Sequence, residues 1–530
     1  MSTGKSPQDN SNRAVFKSAS IISLATLISR ILGFIRDVVI ARLFGVYIYA
    51  QAFVIAFRIP NLLRDFVGEG ATNAAVVPVM SEYELKHTRQ EYWELAGVFL
   101  NILLVVLSAI TLLGILLSPL LVRLIAPGFI ADPHKLAVTI KLNRIIFPYI
   151  LLIGLSAYSM GILNSLKHFS IPAFAPCLLN ISIIVFALLY GEGIKGLATG
   201  ILVGGSLQLL VQVPMLYRKG FRFNPACGLK HPGARSIMAL MLPRVFSSCI
   251  YQLNNFADSI FGSLAFIVGE GGVAILYFAY RIIQFPIGIF SNALSQALLP
   301  TLSVQALEED RKNFTLSASF GLRAVFFTLL PASVCFMVLS RQIISSLFFG
   351  GRFDIYSADK TSEVLFFYSI GLFAYGSVKV LQSCFFALKD TVTPAKVSFF
   401  AFIINIALNC VLMFPMKISG LALATSLSGL SSFLILLFIL KKRISGFKLP
   451  PLFNSFLRIF LASLLTGAVV HTVAKTFFIS AGTLNKFMNL GLSIFTACLS
   501  YMCFCLILRV PEIRELKQWL FKRSSTGPSE

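Results

Sequence analysis

Long apolar runs, separated by short polar or basic segments, follow one another from about residue 15 to residue 508. A helix needs ~20 residues to cross a bilayer, and this pattern predicts about fourteen such helices. One run departs from the rest. Within Ser29–Gly45, SRILGFIRDVVIARLFG, the charged residues Arg30, Arg36, Asp37 and Arg42 interrupt an otherwise apolar helix. Ser29, Gly33 and Arg36, spaced i, i+4, i+7, share one face, and Arg30 and Asp37 share a neighbouring one. An arginine at mid-bilayer costs at least ~3 kcal/mol unless a partner or water receives it. The face therefore reads as the wall of a solvated cationic cavity inside a helical bundle. The second run is broken by Pro60, Gly68 and Gly70, and the eighth by Pro286 and Gly288. Broken spans are tolerated where they are buried in protein or line a cavity.

Composition supports a membrane chain. Of the 530 residues, 57% are hydrophobic and only 13% charged, against roughly 25% charged in soluble domains. The polar start, 1–12, runs into a full-length span, which is the pattern of a first crossing and not of a cleaved leader. The net charge of +23 would suggest nucleic acid in a soluble protein. Here it gathers in alternate loops, such as 218–235, 441–448 and the tail from 509. That bias puts both termini in the cytoplasm and leaves no call for a nucleic-acid partner. The nine cysteines include no CxxC pair, and the five histidines have no metal-ligand spacing. Gly4-Lys5-Ser6 lacks the preceding glycine of a phosphate loop. With no paired intramembrane carboxylates and no nucleophile–base set, the expectation is a transporter without a catalytic site or a cofactor.

The chain repeats itself. Ala75-Val-Val-Pro78 recurs as Ala297-Leu-Leu-Pro300, and Leu166-Lys167 with Pro172 recurs as Leu388-Lys389 with Pro394, each 222 residues on. Gly196-Leu-Ala198 recurs as Gly420-Leu-Ala422. Six spans repeat in the same sense, a plan that places substrate between two lobes. The predicted fold is an all-α polytopic membrane protein. A cytoplasmic tail (1–14) leads to an N-lobe of helices 1–6 (15–219), a basic linker (220–235) and a C-lobe of helices 7–12 (236–445). Two extra helices (446–508) and a basic tail (509–530) follow.

Two constellations carry candidate chemistry. The first is the set of arginines in polar or broken spans: Arg30, Arg36, Arg64 and Arg281. Around them lie the further cavity candidates Gln51, Asn61, Glu69 and Gln284. Arginine forks bind phosphate bidentately, so the set suits a phosphate or pyrophosphate. The alternative is structural pairing of Arg36 or Arg64 with Asp37, Asp65 or Glu69, or snorkelling. The second constellation is Asp258 with Asn405, Asn409 and Thr425, oxygen ligands that suit a sodium ion. The alternative is hydrogen bonding between helices.

Several stretches resemble a known family. Ser29-Arg30-Ile-Leu-Gly33-Phe-Ile-Arg36-Asp37, Arg58-Ile-Pro60-Asn61-Leu-Leu-Arg64, Gly68-Glu69-Gly70-Ala71 and Arg281-x-x-x-Phe285-Pro286-x-Gly288 are similar to the signatures of the MurJ (MviN) lipid II flippases. That family belongs to the multidrug/oligosaccharidyl-lipid/polysaccharide exporter superfamily. The resemblance implies fourteen helices in the bacterial inner membrane. It also implies transfer of undecaprenyl-pyrophosphate-linked lipid II from the cytoplasmic to the periplasmic leaflet, alongside membrane lipids and the cell-wall synthesis machinery. It maps substrate contacts onto Ser29, Arg30, Arg36, Asp37, Arg64 and Arg281. It maps a sodium site onto Asp258, Asn405, Asn409, Leu421 (by its carbonyl) and Thr425, with sodium or the membrane potential as driving force, and makes the two extra helices a lipid-tail groove. Gln51, Gln284, Tyr280 and Asn409 replace acids carried by other members, so the cavity is expected to be more cationic and sodium coupling weaker. The competing expectation is a drug/cation exporter, or an exporter of another lipid-linked oligosaccharide, of the same superfamily.

Overall fold

The computed structural model describes residues 7–64, 73–191, 193–223, 231–308, 310–444, 446–447, 449–477 and 483–513. They form helices joined by short connections, with no strand among them. The chain divides into two compact units, Met1–Leu264 and Ala265–Glu530.

The first unit holds α1 (Pro7–Phe44), α2 (Ile48–Arg64), α3 (Asn73–Lys86), α4 (Arg89–Leu116), α5 (Ser118–Ile125), α6 (Pro133–Ile146), α7 (Tyr149–Ser165), α8 (Ser170–Tyr190), α9 (Ile194–Leu210), α10 (Val213–Lys219) and α11 (Pro232–Ser263). The repeat assigns α11 to the second lobe, yet α11 packs on α3, α4 and α5 of the first unit. The second unit holds α12 (Ala265–Val268), α13 (Gly272–Pro286), a π-turn (Ile287–Asn292), α14 (Ala293–Gln305), α15 (Lys312–Leu347), α16 (Ile355–Ile370), α17 (Leu372–Ala387), α18 (Val392–Arg443), α19 (Leu449–Phe477) and α20 (Thr483–Ile507).

The sequence repeat is a repeat of backbone devices. Asp132 caps α6 by accepting a hydrogen bond from the Lys135 backbone N–H (3.0 Å), and Asp354 caps α16 through Ser357 (2.9 Å). Each capped helix breaks about fifteen residues on, at Phe147–Pro148 in the first unit and at Gly371 in the second. The following helices, α7 and α17, end alike. Lys167 (φ 57°) and Lys389 (φ 58°) both take the left-handed conformation. The next amides then donate back to Leu163 and Phe385, at 2.8 and 2.9 Å.

The hairpins that close each set of six helices depend on small residues. A Cβ on Gly200 of α9 would lie 2.7 Å from the Ile183 Cα of α8, so only glycine lets these backbones meet. In the second unit α18 plays both parts. At 52 residues it is far longer than a bilayer needs, and its backbone breaks at Lys417 (φ 52°, ψ −132°). Beyond the break the chain folds back on itself. Ser428 Oγ donates to the Ala401 carbonyl at 2.9 Å, and a Cβ on Gly420 would collide with the Leu412 carbonyl. Thus α18 is two antiparallel spans.

By length and composition, nine helices among the described residues can cross a membrane, or ten if the pair α16 and α17, bent by 44°, is one span. The difference from fourteen lies in α18 being one of the nine and in the charged or broken α1, α2, α3 and α11. The two terminal helices pack on α15 and on each other. Tyr501 donates to the Phe327 carbonyl (2.8 Å), and Glu512 ties Ser455 of α19 to Arg323 of α15.

One loop joins the two ends of the α18 hairpin. Asp390 accepts from the backbone N–H groups of Val392 (3.0 Å) and Thr393 (2.9 Å), from Thr393 Oγ1 (2.7 Å), and from Arg443 at the far end of α18. The Thr393 N–H above all, then its hydroxyl and Arg443, hold the Asp390 carboxyl down at about 2. A carboxylate with a lowered folded-state value stabilises the fold above its ordinary value of 3.8, and that contribution fades as pH falls towards about 2. In detergent, Asp390→Asn is expected to lower the melting temperature at neutral pH and to flatten the acid limb of the stability curve. Parallel curves for parent and variant would contradict this.

Candidate functional site

The face predicted on α1 exists, and most of it is closed. Arg36 is 4% exposed and Asp37 is fully buried. Adjacent residues do not face each other on a helix, so the Arg36 side chain wraps round α1 to reach its neighbour. Its Nε and one terminal nitrogen donate to Asp37 Oδ1, at 3.0 and 2.8 Å. The other terminal nitrogen donates to Asn180 Oδ1 of α8 at 3.1 Å, and Phe57 lies 5.8 Å from the guanidinium carbon. Asn180 Nδ2 in turn donates to the Ser29 carbonyl (3.2 Å). Ser29, Gly33 and Arg36 therefore line a contact with α8 in this state, where the sequence pointed to an open cavity wall. The physical reason is desolvation: a charge in apolar surroundings is tolerated when a carboxylate and an amide answer it.

Arg30 differs from Arg36: its side chain is exposed, although Asp37, on the same predicted face, is buried. Asn61 is half-buried. The Arg64 side chain and Glu69 lie outside the described residues. Gln51 is buried and accepts a hydrogen bond from Lys135 Nζ of α6 at 2.9 Å, and that ammonium sits 4.2 Å over the Phe129 ring. Arg281 of α13 is half-buried, donates to Gln284 Oε1 (3.3 Å) and covers the Tyr277 ring at 5.6 Å. Gln284 is exposed. Immediately after Pro286 the helix widens into the π-turn Ile287–Asn292, a distortion that often marks a functional segment.

Four of the five expected sodium ligands meet inside the α18 hairpin. Asn409 Nδ2 donates to Asn405 Oδ1 (3.0 Å), Asn405 Nδ2 to Thr425 Oγ1 (3.2 Å), and Thr425 Oγ1 to the Leu421 carbonyl (3.0 Å). Asn409 is fully buried, and its Oδ1 accepts no hydrogen bond among the described residues. Asp258 belongs to the first unit. There the Arg58 guanidinium is its charged neighbour and hydrogen-bonds the adjacent Ser259. Among the described residues no trio of His, Cys, Asp or Glu gathers round a common point.

Three participants were given no role by the sequence. Asn180 is one polar side chain in the apolar run IPAFAPCLLN, and an intramembrane amide is itself a signal. Lys135 sits just after a loop and looks like an ordinary interfacial lysine; only the fold shows it to be 6% exposed. Arg58 is part of the quoted motif, but its bond to Ser259 spans some two hundred residues.

The paired arginines on polar helix faces, the broken spans and the repeated hairpins define a polytopic transporter. An inward-facing multidrug MATE transporter of the MOP superfamily has the same fold (TM-score 0.68, 15% identity, over 81% of this chain and 99% of that one). The family model "Lipid II flippase MurJ" matches residues 40–493, so the chain belongs to that family. The "Probable lipid II flippase MurJ" of Buchnera aphidicola subsp. Acyrthosiphon pisum is 36% identical over 419 residues, 78% of this chain and 81% of its own. A solved "Lipid II flippase MurJ, inward closed conformation" superposes with a TM-score of 0.78 at 28% identity, over 93% of this chain and 99% of its own.

Removing one member of a buried ion pair leaves the other uncompensated and costs ~3–5 kcal/mol. Asp37→Asn and Arg36→Ala are therefore expected to reduce membrane abundance and melting temperature, while the exposed Arg30→Ala leaves both at parental levels. Equal stability for all three variants would show that Arg36 is not held as described.

Proposed function

We propose that this chain flips lipid II, the undecaprenyl-pyrophosphate-linked peptidoglycan precursor, from the cytoplasmic to the periplasmic leaflet of the bacterial inner membrane. The observation that carries this reading is membership of the flippase family across residues 40–493. The chemistry of the helices supports it. Arg30 and Arg281 offer guanidinium forks on polar helix faces, and a fork gives a pyrophosphate paired, charge-assisted hydrogen bonds. Arg36, and Arg64 in the broken second span, belong to the same set. In this reading the chain crosses the membrane fourteen times with both termini in the cytoplasm, works by alternating access, and lays the lipid tail along α19 and α20. Cell-wall synthesis enzymes receive the product. A drug/cation exporter is the weaker reading, because a cation needs acids where this chain carries arginines.

The direct test is the leaflet distribution of lipid II in cells depleted of this protein. Lipid II is expected to accumulate where an impermeant hydrolase added outside the inner membrane fails to reach it, and re-expression should restore access. Unchanged access on depletion would defeat the proposal.

The ion dependence follows from Asn409. Its Oδ1 supplies an oxygen to the α18 hairpin but no charge to offset sodium dehydration. Flipping is therefore expected to depend weakly on sodium, with the membrane potential as the larger drive, and Asn409→Asp is expected to strengthen sodium dependence. Strong sodium dependence in the parent, unchanged by Asn409→Asp, would contradict this.

A further inference from the structure

We propose that Asn180 is a stand-in acceptor: in the empty protein its side-chain oxygen occupies the place on Arg36 that a phosphate oxygen of the substrate takes on binding. The inference rests on Arg36 being a substrate contact, as the proposed function has it. Arg36 turns two nitrogens towards Asp37 and one terminal nitrogen away from it, and that third nitrogen meets Asn180 Oδ1 at 3.1 Å. Asp37 thus holds the guanidinium in place by charge, while Asn180 fills the remaining side with a neutral group.

The amide is well built for the task. Its other end donates to the Ser29 carbonyl at 3.2 Å and makes a longer contact to Pro176 at 3.5 Å, so its oxygen is aimed at Arg36. Gly33 faces it: a methyl there would come to ordinary van der Waals contact, 3.7 Å, with both amide atoms, which places the flat group directly against α1. A hydrogen bond from a guanidinium to a neutral amide is weaker than one to a phosphate oxygen, where both partners are charged. A pyrophosphate reaching this point therefore wins the nitrogen from Asn180 but does not win the two held by Asp37. Asn180 is a positioning residue: it satisfies a buried cation until substrate arrives and is then released. Local separation of α1 from α8 accompanies the exchange, since the displaced amide joins Ser29 of α1 to α8. Arg30, exposed less than two turns earlier on α1, supplies the first contact.

The test uses two replacements at one position in the full-length protein, with melting temperature and lipid II affinity measured in detergent. Asn180→Asp keeps an acceptor for Arg36 and adds charge to the stand-in but gives up the donor to the Ser29 carbonyl, so it is expected to lower the melting temperature while weakening lipid II binding by the folded molecules by about tenfold or more, as a charged acceptor competes on equal terms. Asn180→Leu removes the stand-in, so it is expected to lower the melting temperature while tightening binding by the folded molecules. A merely structural Asn180 requires the reverse order: parental affinity in the aspartate variant, and in the leucine variant a loss of binding that follows the loss of stability. Either of those results overturns the proposal. Arg36→Lys, which keeps the charge and loses the fork, separates this inference from the reading beneath it. Parental binding in both Arg36→Lys and Asn180→Asp removes Arg36 as a substrate contact. Weakened binding in Arg36→Lys with parental binding in Asn180→Asp removes the stand-in alone.

Discussion

Charge in an apolar medium has to be answered by the protein itself, and the pairing of Arg36 with Asp37 is where this chain meets that demand most sharply. Two opposite charges at successive positions of a helix cancel, so the pair adds no net charge to the span despite its buried guanidinium. The pair also sets the packing around it. Asn180 of α8 meets one terminal nitrogen of the guanidinium, Gly33 lies against the amide, and Phe57 covers the cation. Helices α1, α2 and α8 are thereby joined through one side chain. The same rule explains Lys135, held between Gln51 and the Phe129 ring, and Arg281, held between Gln284 and Tyr277. In each case an amide oxygen and an aromatic face meet the cation, joined at Arg36 by the Asp37 carboxylate.

The internal repeat shows which features are scaffold and which belong to one half only. The aspartate caps on α6 and α16, the left-handed lysines after α7 and α17, and the helix breaks between them recur with the same spacing. So do Thr139 and Thr361, each bonded to the carbonyl four residues back at 2.7 and 2.6 Å. Apart from these caps and lysines, several charges do not recur. Lys135 corresponds to the neutral Ser357, and the position of Arg36 in α1 corresponds to Asp258 in α11. His168 stands where the second unit has the hairpin-closing Asp390. A duplicated frame thus carries two different sets of charges, as expected of a transporter whose halves share a fold and divide the chemistry.

Much of this frame was legible in the sequence, because hydropathy and the two sets of repeated motifs report directly on helices buried in lipid. The faces were legible too: Ser29, Gly33 and Arg36 do lie together, as do Asn405, Asn409, Leu421 and Thr425. What periodicity could not say is what each face meets. It reports the angle at which a side chain leaves its helix and nothing about the helix opposite. Arg36 was therefore read as lining water when α8 covers it. Asp258, grouped by the sequence with Asn405, Asn409, Leu421 and Thr425, has Arg58 as its charged neighbour in the first unit. Those contacts join residues more than a hundred positions apart, and a single sequence holds no trace of them beyond one unexplained asparagine in an apolar helix.

With Arg36 a substrate contact, as proposed, the buried Arg36–Asp37 pair is replaceable as structure and irreplaceable as function. A buried ion pair exchanged as a whole for apolar side chains of similar volume is often neutral or stabilising. The most direct measurement is therefore made on the protein carrying Arg36→Met and Asp37→Leu together, with melting temperature and lipid II flipping determined side by side. The account predicts parental stability with flipping lost. A doubly substituted protein that flips lipid II at the parental rate would contradict it.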